Sequence, residues 1–400
     1  MNKLENTELL APVGCFENLV TAIKFGADAV YLGGNLLQLR ANNVGFNMDD
    51  IFKAVNYAHQ HGKKVYVTVN SFARNDEILV VSDYAKELKN VGVDALIVSD
   101  LGVMDTIKKA SPDTEIHVST QANCTNFVTA NVYYNMGAKR VVLAREMTID
   151  EIAELRSRIP NDMEIEAFVH GAMCMAYSGR CMISSYLTNR SANRGDCSQP
   201  CRWKYSLMEK TRENMFFPIE EDERGTAILS SHDLKCISFL DKLYDAGVRS
   251  FKIEGRMKTA YYVATVVNAY RQMIDGNYDL DVLDKELECI SHRPYSSGFY
   301  FGDIKKNHNN DGDYIQGCKF VGVVLEKNED MISVEVRNRI RVGDKIEVVS
   351  PGNIGQSFEV NDIIDKYGKH KEIANFPKEI ICIPCALELK SGDLLRISVN

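Results

Sequence analysis

The sequence predicts an α/β protein: a (β/α)8 TIM-like barrel interrupted by a cysteine-rich insertion, then a small antiparallel β-barrel domain. Three observations lead there. Between residue 8 and about 170, short β-rich apolar runs alternate with stretches whose apolar residues recur every three or four positions, which is how parallel sheets are built. An eighth β-rich run, SFKIEG (250–255), resumes the pattern after a long excursion. From 317 onward the period drops to two, with turn residues between short runs.

In order, the strand runs are ELLAPV (8–13), DAVYLGG (28–34), KKVYVTVN (63–70), VDALIVSD (93–100), EIHVST (115–120), KRVVLA (139–144), EIEAFVHG (164–171) and SFKIEG. Between them lie helical patterns such as FENLVTAIKFGA, DDIFKAVNYAHQHG, EILVVSDYAKELKNVG and TIDEIAELRSRI. Gly26, Gly62, Gly92, Gly137 and Gly247 stand where helices give way to strands, the chemistry of a helix C-terminus. Eight such runs fit a closed barrel better than an open sheet of six. The barrel domain is placed at 1–302, including the insertion 172–248, with 303–316 as linker and 317–400 as the β domain. In that domain KFVGVVLEK, MISVEVRN, DKIEVVSP, SFEVNDIID, EIICIPC and DLLRISV read as strands. Cys382 and Cys385 are spaced like a metal pair, but the alternation around Ile383 favours core packing.

Four hundred residues exceed one ordinary core. At 45% hydrophobic and 26% charged, the composition is that of a globular protein. No basic leader with an apolar stretch and no run near 18 apolar residues is present, so neither export nor a membrane span is expected. Eleven cysteines without an export pattern point to a reducing cytoplasm, where clustered thiols more often bind metals than pair. A net charge of −8 excludes a strongly basic nucleic-acid coat but leaves room for a local basic patch.

The densest chemistry lies at 163–201, where Cys174, Cys181, Cys197 and Cys201 follow an apolar strand ending in His170–Gly171. Cys236 completes five cysteines in 63 residues, in a segment too rich in Gly, Ser, Asn and Arg to be core. Structural zinc sites show paired knuckles of short spacing. The gaps here, six residues, then 15, then 38 through Cys174, Cys181, Cys197 and Cys236, suit an iron–sulfur cluster better. Cys201, four residues beyond Cys197, is an alternative ligand. Arg180 stands beside Cys181, where it offsets cluster charge or binds an anion. A cysteine peptidase is the rival reading, since His170 and His232 each stand four residues before a cysteine.

Barrel enzymes carry their reactive groups at the C-terminal ends of strands. Those ends supply Asn70, Asp100, Ser119–Thr120–Gln121, Arg145–Glu146, His170 and Glu254–Gly255–Arg256, with Asp100 better explained as a helix cap. Glu254 and His170 are candidates for proton transfer, and Arg145, Arg180 and Arg256 for holding a small anion.

The stretch from Glu166 through HGAMCMAYSGRCMIS to Ser184 resembles the collagenase-like peptidase family, number thirty-two among peptidases of unknown type. The opening ELLAPVGCFENLVTAIKFGADAVYLGG and the C-terminal tail are similar to the same family. The resemblance implies two functions. One is the peptidase activity of the family name. The other is oxygen-independent hydroxylation, in which a 4Fe-4S cluster serves modification of tRNA wobble uridine to 5-hydroxyuridine with prephenate as co-substrate. HGAMCMAYSGRCMISSYLTNRSANRGDCSQPCRWKY most resembles the tRNA branch. It implies Cys174, Cys181, Cys197 and Cys236 as cluster ligands, with Cys201 filling a ligand place in another branch. The expected partners are then the tRNA anticodon loop and a small anionic co-substrate; a third reading makes the chain a cluster-bearing subunit of a larger complex. A splayed-out base would stack on Tyr177 or Trp203, with Arg337, Arg339 and Arg341 offering phosphate contacts.

Overall fold

The computed structural model describes residues 3–38, 45–174, 180–190, 192, 196–203, 221–222, 225–226, 232–302 and 314–399. The chain divides into two compact units, Met1–Ile23 with Ala27–Met257 and Arg293–Tyr314, and Lys24–Gly26 with Lys258–His292 and Ile315–Asn400.

In the first unit, eight parallel strands close on themselves: β1 (Glu8–Pro12), β2 (Ala29–Gly33), β3 (Lys64–Val69), β4 (Ala95–Val98), β5 (Glu115–Val118), β6 (Arg140–Val142), β7 (Glu164–Ala172) and β8 (Val248–Ile253). Each pairs with the next, and β8 pairs with both β7 and β1. All eight expected strands are present, their ends within about two residues of the expected ones, the usual scatter of element boundaries. Helices α1 (Phe16–Lys24), α2 (Met48–Gln60), α3 (Asn75–Asn90), α4 (Leu101–Ala110), α5 (Phe127–Asn135) and α6 (Ile149–Ser157) separate the first seven strands. The five glycines expected at helix ends all take positive φ, from 68° at Gly62 to 104° at Gly26 and Gly247. Asp100 is the expected cap: its carboxylate accepts from the N–H groups of Gly102 (2.8 Å) and Val103 (3.1 Å) at the start of α4.

The insertion carries a short helix, α7 (Ile183–Thr188), a 3-10 turn (Pro200–Arg202), and the strand Asp233–Lys235. That strand runs antiparallel to the outer end of β7, Lys235 opposite His170. The hairpin expected from RWKYSLMEK and FFPIE lies, beyond Trp203, outside the described residues. After it, α8 (Leu240–Asp245) leads into β8.

The second unit holds α9 (Ala260–Asp275), α10 (Leu280–Glu288) and an eight-stranded antiparallel sheet. The strands are β9 (Cys318–Asn328), β10 (Met331–Val336), β11 (Lys345–Val349), β12 (Ser357–Glu359), β13 (Ile363–Asp365), β14 (His370–Lys371), β15 (Ile380–Pro384) and β16 (Leu394–Ser398). Their order is β12-β11-β16-β9-β10-β15-β13-β14, around a core of Val, Ile and Leu side chains. Cys385 belongs to that core and Ile383 is fully buried, as the packing reading requires. One strand expectation is corrected. SFEVNDIID forms two strands rather than one, because the Asp362 carboxylate turns back to accept from Ile363 N–H (2.8 Å). Of the expected linker 303–316, Ile315–Gln316 is a strand paired with Ser291–His292, while 303–313 lie outside the described residues. Helices α9 and α10, read as part of the barrel domain, group with the sheet. Arg396 of β16 grips both carboxylate oxygens of Glu286 on α10 at 2.7 Å, and Tyr261 of α9 stacks on Phe320 of β9 at 5.2 Å. Among the described residues, no helix is long and apolar enough to cross a membrane.

Candidate active site at the barrel mouth

The C-terminal ends of the strands enclose a cavity lined by Tyr31, Thr68, Asn70, Ser119, Thr120, Gln121, Arg145, Phe168, Lys252, Glu254 and Arg256, among others. Arg145 and Arg256 face one carboxylate, Glu254, on this lining, while Lys252 is paired to Glu166 beneath it; the balance favours an anionic ligand. Arg145 sits over Phe168 (3.9 Å to the ring centre), donates to the Ala172 carbonyl (2.8 Å) and approaches Glu254 at 3.5 Å. Arg256 is held by Gln38 (3.2 Å) and the Thr68 hydroxyl (3.1 Å). Two guanidinium groups are thus oriented by the protein's own groups, the preorganisation that recognition of a carboxylate needs. Gly14 makes the Arg256 position possible, since a Cβ there would run into the Arg256 carbonyl.

Beneath the mouth lies a charged chain that the sequence reading missed. Lys252 donates to Glu166 (2.6 Å) under the rings of Tyr31 and Phe168, and Glu166 also accepts from Arg140 (3.0 Å). Arg140 continues to Glu164 (2.6 Å) and Glu8, and Glu8 accepts from Tyr66 (2.6 Å) and Ser250 (2.8 Å). Register explains the meeting: Ser250 stands opposite Glu166 and Arg140 opposite Glu164, so inward side chains of β6, β7 and β8 converge. Burial alone would raise the Glu166 pKa, but Lys252 and Arg140 outweigh it and hold the carboxyl below its ordinary value. Burial pushes the Lys252 pKa down, with Glu166 opposing. The available signal was a charge inside an apolar strand, Glu166 between Ile165 and Ala167 and Lys252 between Phe251 and Ile253.

The other expected site residues fall in distinct places. His170 is 1% exposed, its ring against Tyr295 at 5.5 Å and off the cavity lining, whereas Glu254 lines it. Arg180 is exposed and Tyr177 lies outside the described residues. Trp203 is 44% exposed. Arg337 pairs with Glu335 at 2.8 Å. Cys174 is exposed, two residues beyond β7; Cys181, Cys197 and Cys201 are half-buried. Ser198 ties the Cys197–Cys201 segment to α7 through Ser184 (3.0 Å) and Thr188 (2.9 Å), close after Cys181. Cys236 is fully buried beside β7, its N–H donating to the Val169 carbonyl (2.9 Å), and burial pushes its thiol pKa well up.

Among the described residues, no three of these sulfurs lie within 4.8 Å of one another. One tetrahedral zinc would require about 3.8 Å between sulfurs, from Zn–S bonds of about 2.3 Å. A four-iron cube carries each thiolate on a different iron and so spaces its sulfurs more widely than a single ion does. The donor set is all thiol, and the Gln199 N–H already points at the Cys197 sulfur (3.3 Å), the kind of donor that tunes a cluster thiolate. By donor chemistry the residues fit an iron–sulfur cluster, with Cys197 and Cys201 both half-buried on the same segment.

The family model for peptidase family U32 matches residues 14–310, and that for the family's C-terminal domain matches 316–396. The chain belongs to peptidase family U32. This U32 chain is 37% identical to tRNA hydroxylation protein P1 of Bacillus subtilis, over 97% of its length and 94% of the relative's. It is equally 37% identical to tRNA hydroxylation protein P of Escherichia coli, over 97% and 96%. A 23S rRNA 5-hydroxycytidine synthase of Escherichia coli is 40% identical over 91% of this chain and 55% of that one.

Proposed function

We propose that this chain is a tRNA-modifying enzyme that converts the wobble uridine to 5-hydroxyuridine without dioxygen, using a 4Fe-4S cluster and prephenate. The observation that carries this reading is the near full-length likeness, through both units, to relatives named for tRNA hydroxylation. A second relative class, named for hydroxylating a cytidine of ribosomal RNA, supports pyrimidine C5 as the reacting position.

Replacing C5–H by C5–OH adds one oxygen and removes two electrons from the base; without dioxygen this balances if the co-substrate's C–OH bond breaks, its hydroxyl forms the C5–O bond, and the C5 hydrogen and the two electrons end on the co-substrate carbon. A cluster held by Cys174, Cys181, Cys236 and either Cys197 or Cys201 would supply one-electron chemistry. The chain's own residues do the rest. Arg145 and Arg256, already oriented, clamp the carboxylates of the small acid. Thr120, Gln121 and Asn70 offer neutral donors and acceptors for a uracil edge. Glu254, which lines the cavity 3.5 Å from Arg145, takes the C5 proton in this reading. His170, buried against Tyr295, positions the end of β7 through its carbonyl, which accepts from Glu254 N–H at 2.8 Å.

The test is nucleoside mass analysis of tRNA from a strain lacking the gene. 5-Hydroxyuridine and its derivatives should disappear and return with the wild-type gene but not with Cys174→Ala. Unchanged levels in the deletion strain would remove the tRNA assignment, and cysteine-dependent cleavage of gelatin by iron-free protein would favour the peptidase reading.

A further inference from the structure

Two cysteines that the cluster does not use lie together in the second unit. Cys289 caps the C-terminus of α10, and Cys318 opens β9. Their sulfurs are 2.6 Å apart, although 28 residues intervene in the chain. The approach is built in. Gly317 N–H donates to the Glu288 carbonyl (2.9 Å), and a Cβ on Gly317 would stand 2.7 Å from that same oxygen, so only glycine lets strand and helix end lie this close.

The surroundings discriminate between two uses of the pair. The Glu347 carboxylate also lies within 4.8 Å of both sulfurs, a three-ligand group of the kind that holds a divalent cation. That carboxylate is already committed, however, accepting from Arg396 (2.9 Å) and from the Ser398 hydroxyl (2.7 Å). Arg396 is 4% exposed and keeps its full positive charge beside the site. A buried guanidinium repels a metal ion but stabilises a thiolate. The hydrogen bond from Cys289 and the nearby Arg396 lower the Cys318 pKa, while the same hydrogen bond raises that of Cys289, so the pair shares one proton once the first has left.

We propose that Cys289 and Cys318 form a reversible disulfide that staples α10 to the antiparallel sheet under oxidising conditions. With hydrogen peroxide as oxidant, the thiolate attacks one peroxide oxygen, the O–O bond breaks, and the departing hydroxide takes a proton to leave as water. The resulting sulfenic acid is attacked by the second sulfur; the S–O bond breaks and a second water leaves with that thiol's proton. In sum, two thiols and one peroxide give one disulfide and two waters. The sulfurs need to close only from 2.6 Å to about 2.05 Å, a small local movement. The bond closes a loop across residues 290–317 and so restricts the unfolded chain more than the folded one.

The experiment treats full-length protein with hydrogen peroxide, blocks remaining thiols, and maps peptides by mass, alongside thermal unfolding. The expected result is one linked pair of peptides carrying Cys289 and Cys318, lighter by two hydrogens and separated by dithiothreitol. The unfolding midpoint should rise by several degrees in the oxidised protein, and C289S and C318A should each abolish both effects. Because the linkage is read in the wild-type chain, a variant that fails to fold leaves the result intact. Cysteines 289 and 318 still alkylated after peroxide has oxidised other thiols would overturn the proposal. So would a linkage that leaves the midpoint unmoved, or zinc retained one-to-one and lost in C289S and Glu347→Gln.

Discussion

Substituting Glu166 by Gln probes the charged chain under the barrel mouth. Glu166 is fully buried and is the carboxylate bonded to the equally buried Lys252 ammonium, at 2.6 Å. Gln keeps the shape but leaves the Lys252 ammonium without its bonded carboxylate, with the Tyr31 and Phe168 rings at 4.5 and 5.5 Å from their centres and the Glu254 charge acting from the cavity. Breaking a buried pair in this way costs about 3–5 kcal/mol. Lys252→Met removes the other partner, yet Glu166 keeps Arg140 at 3.0 Å, so its cost should be smaller, about 1–3 kcal/mol. The double variant removes both charges and should cost less than the sum of the single changes by about 2 kcal/mol or more, since residues in direct contact couple. The assay is urea unfolding of all four proteins, followed by far-ultraviolet circular dichroism and read at the barrel's transition. Additive costs, or a Glu166→Gln cost below about 1 kcal/mol, would refute the claim that this pair is mutually neutralised in the barrel interior.

Other expectations follow from the same geometry. Gly14→Ala should displace the Arg256 backbone, raising the KM for the small carboxylate co-substrate by tenfold or more and lowering the unfolding midpoint as well; an unchanged KM in the folded variant would show that Arg256 does not hold it. Burial raises the Glu8 carboxyl, but Arg140, Tyr66 and Ser250 prevail and hold its pKa at about 2 against 4.5 unfolded. Its contribution, roughly 3 kcal/mol, should be complete above about pH 5 and fall away as pH drops towards 2. In Glu8→Gln that part of the acid slope should vanish; an unchanged stability profile between those limits would contradict the assignment. Because the Cys236 thiol is kept protonated by burial, cluster assembly should release protons, and iron content should fall sharply in Cys236→Ala; full iron retention in that variant would take Cys236 out of the ligand set.

The barrel strands were legible because strands covered on both faces read as continuous apolar runs, as AVYLG in β2 and ALIV in β4 do. Asp100 and the five helix-ending glycines were legible because their chemistry is local. What escaped depended on contacts remote in the chain. The Glu166–Lys252 pair needs the β7–β8 register across more than 80 residues, and charges so placed look in sequence like interruptions of a strand. The Cys289–Cys318 pair has no motif spacing and rests on the tight approach at Gly317. The grouping of α9 and α10 with the sheet was hidden because α9 is apolar almost all round, so its pattern indicates burial without naming the surface that buries it.

The measurement that bears most directly on the central claim is a reaction run without dioxygen on cluster-loaded protein, unmodified tRNA and prephenate, with the tRNA digested and its nucleosides weighed. The expected product is a uridine heavier by one oxygen at the wobble position, absent when prephenate is omitted or when Cys174→Ala replaces the wild type. Unaltered uridine from wild-type protein whose iron and sulfide content matches a full cluster would contradict it.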